Sequence, residues 1–508
     1  MAVNLIRNSR VFFTTNVDSY GRVKIGDQKG SSQFTTTNTW EIQVLEGLTF
    51  SQNTTQDTVT LNEAGAAPSR GQRSFNTALQ PVDFSFSTYV RPYNDTTNSK
   101  ITAEERVLWN AFGGVKDLTQ ATAAWKETSS AATMSFANSN VHQLQTFGLI
   151  IIFDNTAYAL DNCALDTATL DFGIDAIAAV QWAGKASNIR PLTDLKADNG
   201  TTTVTFSGLD VANATEYVDA TFSSLASNAT ITFTTGAGGT DTFAFTNTSG
   251  ATLSAYDVAA AFAGIALGGS GTSSNGTYGT NGLSNYYTLA ADGAVVRFVA
   301  SGTGDVTPNL SVSSGATLVN TAGGSEVADV AKAKNVTARY ITNKLSTLVL
   351  NDGINDFINT GTPGTTYSVA LTGGQITFNN NLTYLTPANL ATVNLPITYF
   401  TGTRAITGNV TAYLKTGTNE TAKLLKDMLL AASTTVDPKY TINVQLGGPS
   451  TNLTGVEIKL PAAMLQIPQI NTAQVISTTI NFTAQGYSGS TYDITAQNEA
   501  SIIYRAAA

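Results

Sequence analysis

The chain has 508 residues, enough for several domains of roughly 100–200 residues each. Its net charge is −9 with no basic run or Arg-rich stripe, which excludes a tight nucleic-acid binder. One cysteine, Cys163, excludes an intrachain disulfide framework, and one histidine, His142, excludes a multi-histidine metal site.

Charged residues are only 12% of the chain, against roughly 25% in an ordinary globular protein. The polar surface is therefore built from Thr, Asn, Ser and Gln, residues that suit sheets and turns and point to a mainly β chain. Low charge also fits a molecule that buries much of its outside against copies of itself.

In chain order, MAVNLIRNSRVFF lacks an apolar signal-peptide core, so a soluble protein made in a cytoplasm is expected. Residues 4–15 read as a strand, 16–38 as a polar loop and 39–52 as strand. Residues 53–80 read as a long polar loop, and loops of that length are usually functional or bind a partner. Within it, Arg70 and Arg73 lie close to Phe75, a mix common at protein–protein contacts. PVDFSFSTYVR (81–91) then alternates with a strict period of two, the mark of a strand with one buried face. Residues 103–112 follow as an amphipathic helix, with Thr102 and Glu105 as an expected capping box.

Strands are expected near 134–137, 144–153, 164–174 and 176–184, the run FGLIIIF being fully buried and too short to span a bilayer. Asp171 and Asp175 lie four apart in strand-like text, on one face if the strand is regular. From about 196 to 334 the composition shifts to Thr, Ser, Gly and Ala. A separate module is expected there, with several short strands, a helix capped by Ser254 and Asp257, and a flexible loop at 268–282.

After 335 the first pattern returns. RAITGNVTAYLK (404–415) echoes PVDFSFSTYVR, with Tyr413 on Tyr89, Ile406 on Val82 and Val410 on Phe86. Segments 341–350, 374–380, 420–431 and 477–485 echo 6–15, 46–52, the first helix and 178–186, with Phe378 on Phe50 and Phe482 on Trp182. Five correspondences in one order indicate a duplication.

No catalytic arrangement emerges. A triad would have to use His142, no phosphate loop, dinucleotide fingerprint or nucleophile elbow is present, and Asp154 and Asp161 lack a calcium-loop ligand ladder. Neither a catalytic residue, a metal nor a cofactor is expected.

The string TVTLNEAGAAPSRGQRSFNTALQPVDFSFSTYVRPY (58–93), with NLIRNSRVFFTT, AVQWAGKAS (179–187) and NNNLTYLTPANLATVNLPITYFTG (379–402), resembles the tail tube proteins of long-tailed bacteriophages with flexible, non-contractile tails. The resemblance is to the branch of those siphophages with two fused tube domains per chain. It implies a mainly β fold: two tandem tail-tube β-barrel or sandwich domains (1–195 and 335–508), each with a short helix, and an inserted β-rich decoration module (196–334). In relatives an immunoglobulin-like module follows the tube domains instead; the helix here argues against a plain Ig-like sandwich.

The resemblance further implies homotrimeric, pseudo-hexameric rings stacked head to tail into a hollow tube of the virion tail, assembled in the host cytoplasm and used in DNA ejection. Partners would be other copies, the tape measure, tail terminator and distal tail proteins, and phage DNA passing without specific binding; no membrane partner is implied. The expected inter-ring contact is Arg70, Arg73 and Phe75. Strands 166–184 and 474–485 would face the lumen, with Asp171 and Asp175 as its acidic lining. The competing readings are a secreted or surface β-rich adhesin or S-layer-like protein, and a β-rich hydrolase; the missing leader and the missing catalytic constellation weigh against them.

Overall fold

The computed structural model describes residues 9–25, 34–59, 73–114, 124–136, 144–153, 156–192, 195–207, 217–235, 241–263, 271–273, 275–280, 287–292, 294–300, 310–322, 329–336, 338–352, 364–387, 394–434, 439–447, 454–471, 475–488, 491–492 and 499–506. It is mainly β, with three α-helices among the described residues.

The first repeat opens with β1 (Ser9–Thr14), β2 (Thr39–Ile42), β3 (Thr49–Ser51), β4 (Thr54–Val59), β5 (Arg73–Leu79) and β6 (Val82–Tyr89). β7 (Pro92–Asp95), β8 (Lys100–Ala103), α1 (Arg106–Gly113), β9 (Trp125–Glu127) and β10 (Ala132–Ser135) follow. It closes with β11 (Phe147–Phe153), β12 (Thr156–Asp171), β13 (Ala179–Ala186) and β14 (Asn188–Leu192). β6 buries Val82, Phe84, Phe86 and Thr88 and turns the alternate residues outward, as its period of two requires. FGLIIIF, apolar at every position, lies between β1 and β12 and is buried on both faces.

Two local expectations are corrected. Residues 53–80 are not a plain loop: β4 and β5 form a two-stranded antiparallel ribbon, since both carry alternating Thr, Asn and Gln that pair across it. No Thr102–Glu105 capping box forms. Thr102 belongs to β8 and donates to Glu127, while Glu105 is itself the N-cap residue, fully buried and making no side-chain cap bond.

The middle section is rooted by β15 (Lys196–Ala197) and β16 (Thr203–Ser207), which pair with each other, β16 also pairing with the section's last strand. Its body comprises β17 (Tyr217–Phe222), β18 (Thr230–Thr235), β19 (Asp241–Asn247), α2 (Ala255–Ala263), β20 (Gly271–Ser273) and β21 (Gly276–Thr280). β22 (Tyr287–Asp292), β23 (Val295–Ala300), β24 (Ser311–Val312) and β25 (Ala316–Ala322) complete it, and β26 (Val330–Lys332) returns to the root. The body makes a four-stranded and a five-stranded sheet around its own core. α2 supplies the centre of that core: the Phe262 ring lies 4.8 Å from Phe222 on one sheet and 5.3–5.5 Å from Phe245, Phe243 and Phe233 on the other. A helix packed between the sheets departs from a plain immunoglobulin sandwich. The Ser254–Asp257 capping box forms as expected, Asp257 N–H donating to Ser254 Oγ at 3.2 Å. The expected loop 268–282 contains the β20–β21 hairpin.

The second repeat comprises β27 (Thr347–Asp352), β28 (Thr366–Val369), β29 (Leu371–Asn379), β30 (Leu382–Leu385), β31 (Thr398–Thr401) and β32 (Ala405–Tyr413). α3 (Thr421–Thr434), β33 (Tyr440–Leu446), β34 (Gly455–Leu465), β35 (Gln469–Asn471) and β36 (Ser477–Ala484) follow, then β37 (Tyr487–Ser488), β38 (Thr491–Tyr492) and β39 (Ser501–Arg505).

The repeats match down to a register irregularity. β11 and β12 slip between Phe147/Cys163 and Leu149/Leu160, and β33 and β34 slip in the same way between Tyr440/Ala463 and Ile442/Leu460. Carried from this bulge through the ladders, Tyr89 falls on Tyr413, opposite Ala179 and Ser477 respectively. Trp182 however falls on Ile480 and Phe50 on Ile376, two residues from the expected partners Phe482 and Phe378. A slip of two keeps every side chain on its face, so alternation alone cannot detect it. The corrected register exposes an exchange of sizes. Phe84 lies opposite Gly184 in the first repeat and Gly408 opposite Phe482 in the second. A Cβ on Gly184 would sit 2.5 Å from the Phe84 ring, and one on Gly408 2.4 Å from the Phe482 ring.

Candidate functional site

β12 does more than close the first repeat. Its last residues, Thr167–Asp171, pair with β13 on one side and with β29 on the other. One sheet therefore runs without a break as β3–β6–β13–β12–β29–β32–β36–β35, four strands from each repeat. At the joint, Ala168 faces Phe378 and Leu170 faces Ile376, all fully buried. On the other face, Thr169 and Thr377 hydroxyls meet at 3.1 Å.

The apolar face of this sheet rests on α1. Trp109, fully buried, packs 4.8 Å from the Trp182 ring and 5.6 Å from Phe378, so one residue grips strands of both repeats. Its Nε1–H donates to the Tyr504 hydroxyl at 2.6 Å, which ties in β39. β39 in turn pairs with β34 of the second repeat and β10 of the first.

The opposite face is polar and nearly uncharged. Segments 49–51, 82–89, 164–171, 179–186, 371–379, 405–413 and 477–484 contain three aspartates, one lysine and no arginine. Lys185 is paired with Asp83 at 2.6 Å. Asp166 sits in a β12 bulge, where its carboxylate accepts the Leu382 amide at 2.7 Å. Asp171 is exposed at the end of β12, accepts the Gly173 amide at 3.1 Å and lines an open depression with Gln375, Asn409 and Thr411. Asp175 lies in the turn after β12, not on a strand, so the face argument does not reach it; its partner is Lys344 at 3.5 Å, both highly exposed. The sequence reading missed the Thr/Gln/Asn lining, whose signal was the polar half of each period-two strand.

The β4–β5 ribbon stands out from the sheet. Arg73 is exposed at its outer end, and Phe75, opposite Asp57, is 48% exposed. Arg70 and His142 lie outside the described residues. The second repeat has an equivalent ribbon, β30–β31, absent from the sequence reading. It lies on the first repeat: the Tyr384 hydroxyl donates to the Asn162 carbonyl and the Tyr399 hydroxyl to the Leu144 carbonyl at 2.9 Å. The two ribbons also touch, through Leu79 N–H to Asn394 O at 2.9 Å.

Two buried titratable groups nearby, Asp161 and Cys163, are structural. Asp161 is buried, bound by Arg190 at 2.5 Å and by the Val23 amide. Cys163 is buried, and desolvation pushes its thiol up. No cluster of three metal-binding side chains occurs among the described residues, and no described helix is long and apolar enough to cross a membrane.

Glu104 and Glu105 lead into α1, and burial pushes each carboxyl up to about 7. The folded chain thus keeps protons that the unfolded chain has released above its ordinary value of 4.5, so their contribution to stability falls as pH rises from 4.5 through 7. For Glu105 alone the difference is on the order of 3 kcal/mol. Glu105→Gln is expected to raise the melting temperature at pH 8 and to flatten its decline between pH 5 and 8, as thermal scans across that range would show.

No family model matches the chain. It is similar to the tail tube protein pb6 of Escherichia phage T5, with 24% identity over 492 residues that cover 95% of this chain and 73% of the relative. The resemblance to tail tube proteins of long-tailed phages therefore extends along nearly the whole chain, middle section included.

Proposed function

We propose that this chain is a structural subunit of a phage tail tube, and not an enzyme. The similarity to a tail tube protein supports the structural role. The observation that carries the finer reading is the single sheet assembled from both repeats. A wall element built from two equivalent halves is what a ring of repeated domains needs.

In this reading residues 1–195 and 335–508 are two tube domains and 196–334 is a decoration module on the outside. Three chains give six tube domains, and rings stack head to tail through heterologous contacts. The polar face of the sheet lines the channel. Its one lysine is neutralised by Asp83, so passing phosphates meet no free cation there and do not stick. Asp171 adds a repelling charge at one end of that face, with Asp175 on the adjoining turn. The outer end of the β4–β5 ribbon, with Arg73 and Phe75, contacts the neighbouring ring, together with Arg70 in the segment that joins the two strands in sequence. The tube belongs to the virion tail, is assembled in the host cytoplasm with the tape measure, tail terminator and distal tail proteins, and conducts DNA during ejection.

Negative-stain microscopy of the purified protein tests this. Hollow rods or six-lobed rings are expected, and isolated elongated monomers would overturn it.

A further inference from the structure

A polar trio sits in the second repeat where the first repeat has only apolar groups. Asn443 on β33 lies directly opposite Lys459 on β34, and Glu457 stands two residues before Lys459, on the same strand face. Carried through the bulge-anchored register, Asn443, Lys459 and Glu457 correspond to Ile150, Ala159 and Ala157, all buried and apolar. The ladder itself therefore asks for no charge or amide there.

The three side chains converge. Residues directly opposite in an antiparallel pair have Cβ atoms about 4.5–5.5 Å apart. Glu457 Oε1 accepts the Asn443 Nδ2–H at 2.9 Å and lies 3.3 Å from Lys459 Nζ, so one oxygen holds both nitrogens. The other carboxylate oxygen accepts from Arg505 of β39, the strand that pairs with β34. Glu457 is buried and the Lys459 side chain is only 20% exposed. Asn443 Oδ1 is buried and, among the described residues, accepts no hydrogen bond. The carboxamide is thus fixed through its nitrogen. Burial raises the Glu457 carboxyl, but Asn443, Lys459 and Arg505 outweigh it and hold it below its ordinary range, so it is a ready proton acceptor.

We propose that Lys459 and Asn443 condense into an intrachain isopeptide bond, with Glu457 as the catalytic residue and Arg505 positioning it. Glu457 takes a proton from the Lys459 ammonium, and the freed Nζ electron pair forms a bond to Asn443 Cγ. The same proton passes on to Nδ2, the Cγ–Nδ2 bond breaks with its electron pair going to nitrogen, and the released ammonia takes up the surplus proton on Nζ. One ammonium ion leaves, the carboxylate is regenerated, and nothing is oxidised or reduced. The bond staples β33 to β34 in a chain whose single cysteine is buried and forms no disulfide. It does not depend on how copies of the chain assemble.

Trypsin digestion and mass spectrometry of the folded wild-type chain test this. An acylated lysine is not cut, and no Lys or Arg lies between 460 and 504. Residues 440–505 should therefore appear as one peptide, lighter than its sequence by one ammonia. Separate peptides 440–459 and 460–505 at full mass would overturn the proposal and leave a plain ion pair. An ammonia-deficient peptide 440–459 still cut after Lys459 would overturn it too, since that marks cyclisation of an asparagine. Lys459→Arg keeps a cation beside Glu457 and should restore both the cut and the full mass; ammonia loss that persists in it would overturn the assignment to Lys459. Glu457→Gln keeps the shape and, in protein whose circular dichroism matches wild type, should lower the cross-linked fraction at least tenfold. Undiminished cross-linking in that variant would overturn the role given to Glu457.

Discussion

Replacing Trp109 by alanine is expected to lower the stability of the chain by about 3–5 kcal/mol, the cost of truncating a fully buried large aromatic. The position is more demanding than most. The indole packs edge-on against Trp182 and Phe378, which lie on strands of different repeats, and against Phe112 of its own helix. Its N–H satisfies the Tyr504 hydroxyl, which is fully buried and faces Glu105. Truncation leaves that hydroxyl short of a donor, a further cost of about 1–3 kcal/mol in a dry site. Urea unfolding followed by circular dichroism should show a clear fall in midpoint. Trp109→Phe separates the two terms, since it keeps an aromatic ring and loses only the donor and part of the area. A loss below about 1 kcal/mol for the alanine variant would mean that α1 does not clamp the two repeats together.

Reversing charge on the ribbon should act on assembly and spare the fold. Arg73 is exposed and Phe75 beside it is half-exposed, on a ribbon whose two strands, among the described residues, pair only with each other apart from the Ala78–Asn394 bridge. Exposed substitutions away from buried networks usually change stability by less than about 0.5 kcal/mol. Arg73→Glu is therefore expected to keep the normal melting temperature, and combined with Arg70→Glu to give soluble rings that do not stack. Sedimentation and negative-stain images would report it as loss of rods with rings retained. Long tubes from this variant would assign the axial contact elsewhere. In the stacked-ring reading, a rim that gains negative charge docks on a neighbour whose net charge is −9, and like charge opposes the contact.

What could be read from the sequence was what period two encodes. The alternation of Val82, Phe84, Phe86 and Thr88 fixed both the strand and its buried face, and FGLIIIF was legible as a buried strand because no position in it is polar. The Ser254–Asp257 cap was legible because its hydrogen bonds are local. The Thr102–Glu105 pair has the same spacing and was misread, because β7 claims Thr102 for a ladder and Glu105 is drawn into the core. The ribbon at 54–79 was hidden by its composition, since strands with two polar faces lack an apolar half. Asp175 was placed on a strand that ends at Asp171, where the aspartate itself accepts the Gly173 amide and starts the turn. The β12–β29 joint could not be read at all. It pairs residues about two hundred positions apart, and nothing in either strand alone names its partner.

β39 carries a consequence for the order of events in the cell. Trp109 and Tyr504 are 395 residues apart in sequence, yet the hydroxyl of one completes the core built by the other. At roughly 5–20 residues per second a ribosome needs about 20–80 s to make that interval. For all that time β10 has no outer neighbour and the pocket around Trp109 and Trp125 stands open. The first repeat thus waits for the second, and loop closure over so long a span makes the final step slow. Nascent chains on one messenger cannot finish this core early, so its completion is timed by translation.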